Sequence, residues 1–260
     1  CCKLASRLPT KRLSGAYYDE TAMARAYTPD VAPWFDMGLL STHGKLVADR
    51  LKLENTRSHP RIYAEMLGLP MGRPELVLDP GSQMEAEQLR RSMRLDEVRP
   101  VIGLNTGAGG RWTSKALPVD RTVGLALELH EALLGEVTFL LFGGPDEETR
   151  NLEIAAQLAG RVRLVDTGTQ NPLLRFAGYV SLCDVVVTSD SLGLHVAVAQ
   201  GVRVVAFFAP TSAAEIELYG LGEKVVSTAP DAGSYRPAAD TSTLTVERLR
   251  DAVLRQLPGR

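Results

Sequence analysis

Hydrophobic and polar positions divide the chain into two parts with different patterns. From residue 100 onward, short uninterrupted apolar runs alternate with segments in which apolar residues recur at helical spacing. Uninterrupted apolar runs of this length are typical of strands in a parallel sheet, because helices cover both faces of such a sheet. The alternation therefore predicts β-α-β units and an α/β domain of Rossmann type.

The predicted elements of this second part follow one another in regular order. We predict strands at 101–105, 137–144, 161–166, 184–190, 202–209 and 224–228. We predict helices at 119–134, 146–159, 171–182, 191–200 and 245–257. Together they define a predicted C-terminal α/β domain over residues 96–260.

The pattern of residues 1–95 is irregular and is interrupted by many prolines. Helical spacing is present at 43–53, 59–68 and 84–95. No segment there shows the alternation of a half-buried strand. We therefore predict a separate first domain over residues 1–95 that contains helices and no strand.

Composition narrows the classes of function. The net charge of -2 provides no basic field that would attract nucleic acid. The three cysteines are too few and too scattered for a disulfide framework, which favours a reducing compartment. No apolar run approaches the roughly 20 residues that span a bilayer. The histidines have no metal-ligand spacing, so we expect no metal. Taken together, these observations predict a cytoplasmic protein without a cofactor or a nucleic-acid partner.

Two distant loops should meet at one edge of the predicted sheet. In the common strand order 3-2-1-4-5, the first and fourth strands are neighbours, and ligands bind outside their carboxyl ends. The loops 106–118 and 189–195 follow these two strands. We therefore expect both loops to contact the same ligand.

Both loops contain groups that suit an anion. The first loop has several glycines, which allow close approach of the backbone, and the cations Arg111 and Lys115. The second loop leads into a helix near Ser191, whose free N–H groups favour negative charge. Ser191 adds a hydroxyl, and His195 lies about one helical turn further on. These groups together suit a diphosphate.

Each of these residues also has a simpler interpretation. Lys115 could be a solvated surface lysine, Asp190 only a helix N-cap, and His195 a buried core histidine. The glycine loop is not a P-loop, because Ser114 rather than glycine precedes Lys115, and it lacks the third glycine of a dinucleotide fingerprint. What favours binding is that both loops lie at the expected switch point.

Three segments resemble glycosyltransferase family 9, the ADP-heptose:lipopolysaccharide heptosyltransferases and their relatives. The first resembles the family's PGA…K-x-W-P segment, the second its GGP-x-E turn, and the third its D-T-G-x-x-H signature followed by F-G-P-T. These segments are 101–118, 141–148 and 184–211. The clear resemblance covers about residues 100–215, and a weaker one covers 35–70.

The resemblance implies a GT-B architecture. Its C-terminal domain, residues 96–260, would be complete and bind the nucleotide sugar, and residues 1–95 would form a partial N-terminal domain on the acceptor side. It implies transfer of a heptose-like sugar from a nucleotide-diphosphate sugar to a lipopolysaccharide or other glycan acceptor. The reaction would be inverting and would need no metal. Such an enzyme would work in the cytoplasm, with peripheral contact to the inner face of the membrane.

The resemblance also implies roles for the individual residues that occupy the motif positions. It implies donor and diphosphate binding by Lys115, Asp190, Ser191, Leu192, Gly193 and His195. It implies nucleoside binding by Gly144 and by Glu147, or by its neighbour Glu148 in place of Glu147. Leu192 departs from the pattern, because the family has glycine there and this chain has Gly193 one place later. We expect the β-carbon of Leu192 to crowd a diphosphate held by the backbone.

The front of the chain departs most from the family pattern. Family members open with a Gly-rich strand–helix turn and an acidic general base, and residues 1–95 contain neither in that context. We therefore expect an N-terminal truncation and a general base upstream of residue 1. The alternative is a non-catalytic nucleotide-sugar-binding relative, and a GT-B-fold epimerase ranks last.

Overall fold

The computed structural model describes residues 1–110 and 112–257. Its contacts divide the chain into two compact units. The first is Cys1–Gly72 with Ala214–Glu217, and the second is Arg73–Ala213 with Leu218–Arg260.

The first unit combines short helices with a β-hairpin. Its elements are α1 (Cys2–Ala5), β1 (Ala16–Asp19), β2 (Ala24–Tyr27), α2 (Ala32–Phe35), α3 (Lys45–Glu54) and α4 (His59–Leu67). The prediction that residues 1–95 contain no strand was wrong, because β1 and β2 pair antiparallel. None of the hairpin's strand residues is fully buried, so no apolar alternation marks it in the sequence.

Ring contacts between partly exposed side chains connect the elements of the first unit. The rings of Tyr27 and Phe35 stack with their centroids 5.2 Å apart. Trp34 lies 4.7 Å from the imidazole of His59 and 4.7 Å from the ring of Tyr63. These contacts join the hairpin to α2 and α2 to α4.

The second unit is built on one parallel sheet. Its strands are β3 (Val101–Asn105), β4 (Thr138–Phe142), β5 (Arg163–Asp166), β6 (Val185–Ser189), β7 (Arg203–Phe208) and β8 (Gly222–Val226). The strand order is β5-β4-β3-β6-β7-β8. This is the order 3-2-1-4-5 with a sixth strand added, so the predicted strands and their order are confirmed, and β3 and β6 are neighbours.

The second unit also contains helices, most of which alternate with its strands as the sequence pattern predicted. They are α5 (Pro80–Ser92), α6 (Val119–Ala132), α7 (Glu148–Leu158), α8 (Leu173–Val180), α9 (Leu192–Ala199) and α10 (Val246–Gln256). The core against α6, α7 and α10 contains Ile102, Phe139 and Val187. In the parts of the chain that the structure describes, no helix is both long and apolar enough to cross a bilayer.

Helix α5 belongs to the second unit, although the sequence placed it in the first domain with a boundary at residue 95. It begins at Pro80 because the Asp79 carboxylate caps it, accepting from the Ser82 N–H at 3.0 Å. Its Glu85 carboxylate binds the Arg175 guanidinium of α8 at 2.5 and 2.6 Å. The division of the structure therefore falls at Gly72.

Candidate functional site

The two loops predicted to share a ligand meet through one ion pair. Lys115 Nζ donates to the main-chain oxygen of Asp190 at 2.7 Å and to its Oδ2 at 2.8 Å. The two side chains are only 13% and 17% exposed. Thr211, which follows β7, donates from its hydroxyl to the same Oδ2 at 2.9 Å. The convergence of the loops after β3 and β6 is confirmed by this contact.

Hydrogen bonds to one carbonyl fix the position of Lys115. The turn Thr113–Lys115 is anchored because the Ser114 hydroxyl and N–H donate to the Pro237 carbonyl oxygen at 2.8 and 3.1 Å. The Thr113 hydroxyl donates to the same oxygen at 3.1 Å. Lys115 is therefore held in place and is not a freely solvated surface lysine. Arg111 lies outside the described residues.

A cleft of about 390 Å³ opens at the carboxyl ends of β3, β4, β5 and β6. Backbone of the two glycine-bearing loops forms one side, and the start of α9 forms another. The lining residues are Asn105, 107–109, 143–147, Thr169, Asn171, Phe176 and 191–193. A cleft at the place where the strand order reverses is the expected ligand site of such a sheet.

The predicted site residues fall into two groups. Those that line the cleft are Gly144, Glu147, Ser191, Leu192 and Gly193. Those that lie outside its lining are Lys115, Asp190 and His195. His195 is exposed on α9, so its interpretation as a buried core histidine was wrong. The N-cap residue of α9 is Ser191, so Asp190 is not a helix cap.

Glu147 joins the two glycine loops from below the cleft. It is 8% exposed, and its Oε1 accepts from the Gly109 N–H at 3.1 Å. Its Oε2 accepts from the Gly144 N–H at 2.8 Å. A β-carbon on Gly107 would lie 2.2 Å from Oε1, so only glycine fits beside this carboxylate. Glu147 therefore sets the shape of the cleft.

Asn105 organises the other side of the cleft, and sequence reasoning missed it. Its Nδ2 donates to the Gly107 carbonyl oxygen at 3.0 Å and to Thr188 Oγ1 at 3.0 Å. It also lies 3.2 Å from Ser191 Oγ, which is itself 3.0 Å from Thr188 Oγ1. A signal was present, since a polar residue ends an otherwise apolar strand at the predicted switch point.

Asn105 also explains where the helix start requires glycine. A β-carbon on Gly193 would lie 2.8 Å from Asn105 Nδ2, so this position cannot accept a side chain without a shift. The neighbouring Leu192 is 61% exposed at the cleft. The close approach that the sequence assigned to position 192 therefore occurs at 193.

The loop after β5 forms the end of the cleft farther along the sheet. Asn171 Nδ2 donates to the carbonyl oxygens of Thr167 and Gly168 at 3.0 and 2.9 Å. Phe176 of α8 packs edge-on against Phe142, with ring centroids 5.5 Å apart. This loop carries no charge near the cleft, so nothing in its sequence indicates a binding role.

Comparison with known proteins shows which protein family this chain is similar to. The chain matches the model of glycosyltransferase family 9 (heptosyltransferase) over residues 40–239. A search of curated proteins gives no significant match.

Solved structures of glycosyltransferases have a similar fold. The family 9 glycosyltransferase of Veillonella parvula DSM 2008 is 20% identical, with a TM-score of 0.62 over 78% of this chain and 60% of that one. The E. coli ADP-heptose lps heptosyltransferase II is 23% identical, with a TM-score of 0.55 over 74% of this chain and 56% of that one. The chain thus spans less than two thirds of either structure, and the predicted α/β fold class of GT-B type is confirmed.

Proposed function

We propose that this chain, which belongs to glycosyltransferase family 9, binds the nucleotide-diphosphate sugar donor of a glycosyltransferase. The proposed enzyme transfers a heptose-like sugar to a lipopolysaccharide or other glycan acceptor, with inversion and without a metal. We also propose that the enzyme acts in the cytoplasm, in peripheral contact with the inner face of the membrane.

The observation that carries this proposal is the cleft at the switch point of the sheet. Glycine backbone from two loops and the first turn of α9 border one volume of about 390 Å³. Glycines let the backbone approach a ligand closely, and the N–H groups at the start of a helix favour an anion. A diphosphate with a nucleoside on one side and a sugar on the other suits such a site.

The proposed diphosphate site combines the start of α9 with the lysine of the first loop. Residues 191–193, which include Leu192, offer backbone N–H groups, and Ser191 offers its hydroxyl. Lys115 supplies positive charge where charge develops on the leaving nucleoside diphosphate. Asp190 holds the lysine amine at 2.8 Å, so we assign it the role of orienting Lys115. His195, which is exposed on α9, is the remaining member of the proposed group.

The proposed nucleoside site lies at Gly144 and Glu147. Each oxygen of the Glu147 carboxylate accepts one backbone N–H. A carboxylate oxygen has a second lone pair, so the group retains capacity to accept a ribose hydroxyl. In the proposed reaction a base deprotonates the acceptor hydroxyl, which attacks the anomeric carbon while the nucleoside diphosphate leaves. We assign the role of base to no residue of this chain.

Calorimetric titration with ADP-, GDP- and UDP-sugars tests the proposal. We expect one nucleotide series to bind, and Lys115→Ala to weaken that binding at least tenfold, which corresponds to about 1.4 kcal/mol. Lys45→Ala is the control, because Lys45 is an exposed residue of α3 that pairs with Asp49. Absence of binding by the unmodified chain would overturn the proposal.

A second candidate is a nucleotide-sugar-binding protein without transferase activity. The observation that favours it is Leu192, which exposes an apolar side chain at the cleft where the family pattern has glycine. Binding of a nucleotide sugar without transfer, measured on the chain together with any upstream sequence of its gene, would support this candidate. Leu192→Gly should then increase affinity for the nucleoside diphosphate.

A further inference from the structure

The orientation of the Asn105 side-chain amide is determined by one neighbour. The amide atom at 3.0 Å from the Gly107 carbonyl oxygen must be a donor, since a carbonyl oxygen only accepts hydrogen bonds. Of the two amide atoms, only the nitrogen donates. The oxygen Oδ1 therefore points away from Gly107.

The nitrogen of this amide has no hydrogen left for a ligand. One of its two hydrogens goes to Gly107. Thr188 Oγ1 at 3.0 Å and Ser191 Oγ at 3.2 Å share the other. These three acceptors come from the loop after β3, from β6 and from the start of α9, so they fix the amide in one position.

The oxygen of the same amide has no hydrogen-bond partner among the residues that the structure describes. Within residues 1–110 and 112–257, no group donates a hydrogen bond to Asn105 Oδ1. Asn105 is half-buried and lines the cleft beside Ser191 and Gly193. A fixed, unpaired acceptor in a binding cleft gains a hydrogen bond only from a ligand or from water.

We infer that Asn105 Oδ1 accepts a hydrogen bond from a hydroxyl group of the bound nucleotide sugar. The inference rests on the proposed function and names a contact within that site. Ionised phosphate oxygens are acceptors, so the diphosphate cannot satisfy Oδ1. The two sources of a hydroxyl in such a ligand are the ribose and the transferred sugar.

The contact requires glycine at position 193. A β-carbon there would meet Asn105 Nδ2 at 2.8 Å and Cγ at 3.0 Å. Any side chain at 193 would turn or displace the amide and with it Oδ1. Gly193 therefore serves the hydroxyl contact through Asn105.

The test measures the binding of each protein variant to a series of ligands, some of which lack a single hydroxyl. The probes are ADP, GDP and UDP, their 2′-deoxy and 3′-deoxy forms, and their glucose conjugates, titrated calorimetrically against the full chain. We expect Asn105→Ala to weaken binding by about tenfold, the upper range for one neutral hydrogen bond. Asn105→Ser replaces it if the alanine variant does not fold.

The dependence on the hydroxyl distinguishes a ligand contact from a structural role. If the ribose is the source, the effect of Asn105→Ala disappears with the deoxy form that lacks the contacted hydroxyl. If the sugar is the source, the effect appears with the glucose conjugate and not with the nucleoside diphosphate. Thr188→Val is the matched control, because it removes a partner of Nδ2 and should weaken every probe equally.

Two results would overturn the inference in distinguishable ways. An equal loss of affinity for every probe would show that Asn105 only shapes the cleft, and the proposed function would stand. Failure of the unmodified chain to bind any of the probes would overturn the proposed function and this contact with it.

Discussion

At the scale of single residues, two glycines at the cleft are each required by a side chain from another segment. Gly107 leaves room for the Glu147 carboxylate, and Gly193 leaves room for the Asn105 amide. In both cases a polar side chain occupies the volume that a β-carbon would need. The glycines of the cleft therefore serve protein contacts as well as the approach of a ligand.

Gly193→Ala should weaken nucleotide binding at least tenfold while the chain stays folded. The added β-carbon would lie 2.8 Å from Asn105 Nδ2, so the amide has to move. Calorimetry measures the affinity, and circular dichroism measures folding. Gly72→Ala is the control, since its β-carbon would meet nothing within 4 Å. Unchanged affinity in Gly193→Ala would contradict the packing described for this position.

Thr211→Val should lower the free energy of unfolding by about 1–2 kcal/mol. The valine removes the hydroxyl that donates to Asp190 Oδ2 and leaves that oxygen with Lys115 as its remaining partner in the described chain. Thr211→Ser keeps the hydroxyl and should retain most of the stability. Urea denaturation measures both variants, and equal losses for valine and serine would contradict a role for the hydrogen bond.

At the scale of elements, side-chain pairs decide which helices belong together. Helix α5 joins the second unit because Glu85 binds Arg175 of α8. Close packing supports the pair, since a β-carbon on Gly178 of α8 would lie 3.0 Å from the Ser82 carbonyl oxygen of α5. A helix that the sequence pattern placed in the first domain is thereby attached to the sheet unit.

The α5–α8 contact should depend on pH in a defined direction. Hydrogen bonds from the Arg175 guanidinium lower the pKa of Glu85 below its usual value of 4.5. A lowered carboxyl pKa stabilises the fold above 4.5, and this stabilisation is lost as pH falls through the folded pKa. Glu85→Gln should therefore be less stable than the unmodified chain at neutral pH, and the difference should shrink in acid.

Urea midpoints measured from about pH 7 down to about pH 2 would check this direction. The control is Glu153→Gln, which changes an exposed carboxylate on α7 that accepts from Gln157. A Glu85→Gln difference that stays constant across the range would show that ionisation of Glu85 does not stabilise the contact.

At the scale of the whole molecule, the cleft and every residue proposed to bind the donor lie in the second unit. A ligand that binds only the folded state stabilises it by about 2.7 kcal/mol at a hundred times its dissociation constant. The bound nucleotide should therefore stabilise this unit, most strongly where the strands end at the cleft.

Hydrogen exchange should resolve that effect within the sheet. With a saturating nucleoside diphosphate, we expect protection to increase most in residues 106–110, which follow β3, and in residues 190–194, which follow β6 and include the start of α9. The loop between α9 and β7, at the opposite edge of the sheet, serves as an internal control. Equal protection at both edges would contradict a ligand site at the switch point.

The sequence by itself determined the topology of the second unit and the meeting of its two loops. Uninterrupted apolar strands alternating with helices are a local signal, and the order of such a sheet follows from a few general rules. For this reason the neighbouring positions of β3 and β6, and the convergence of the loops that follow them, could be predicted. The ion pair through which the loops meet, between Lys115 and Asp190, is known only from the structure.

Only the tertiary structure decided which atoms face the cleft. It placed Asn105 in the lining of the cleft, moved the required glycine from 192 to 193, and assigned α5 to the sheet unit. It also revealed the hairpin of residues 16–27, whose strands bury no apolar face. These features depend on close contacts between segments far apart in the chain, and the periodicity of a sequence carries no information about such contacts.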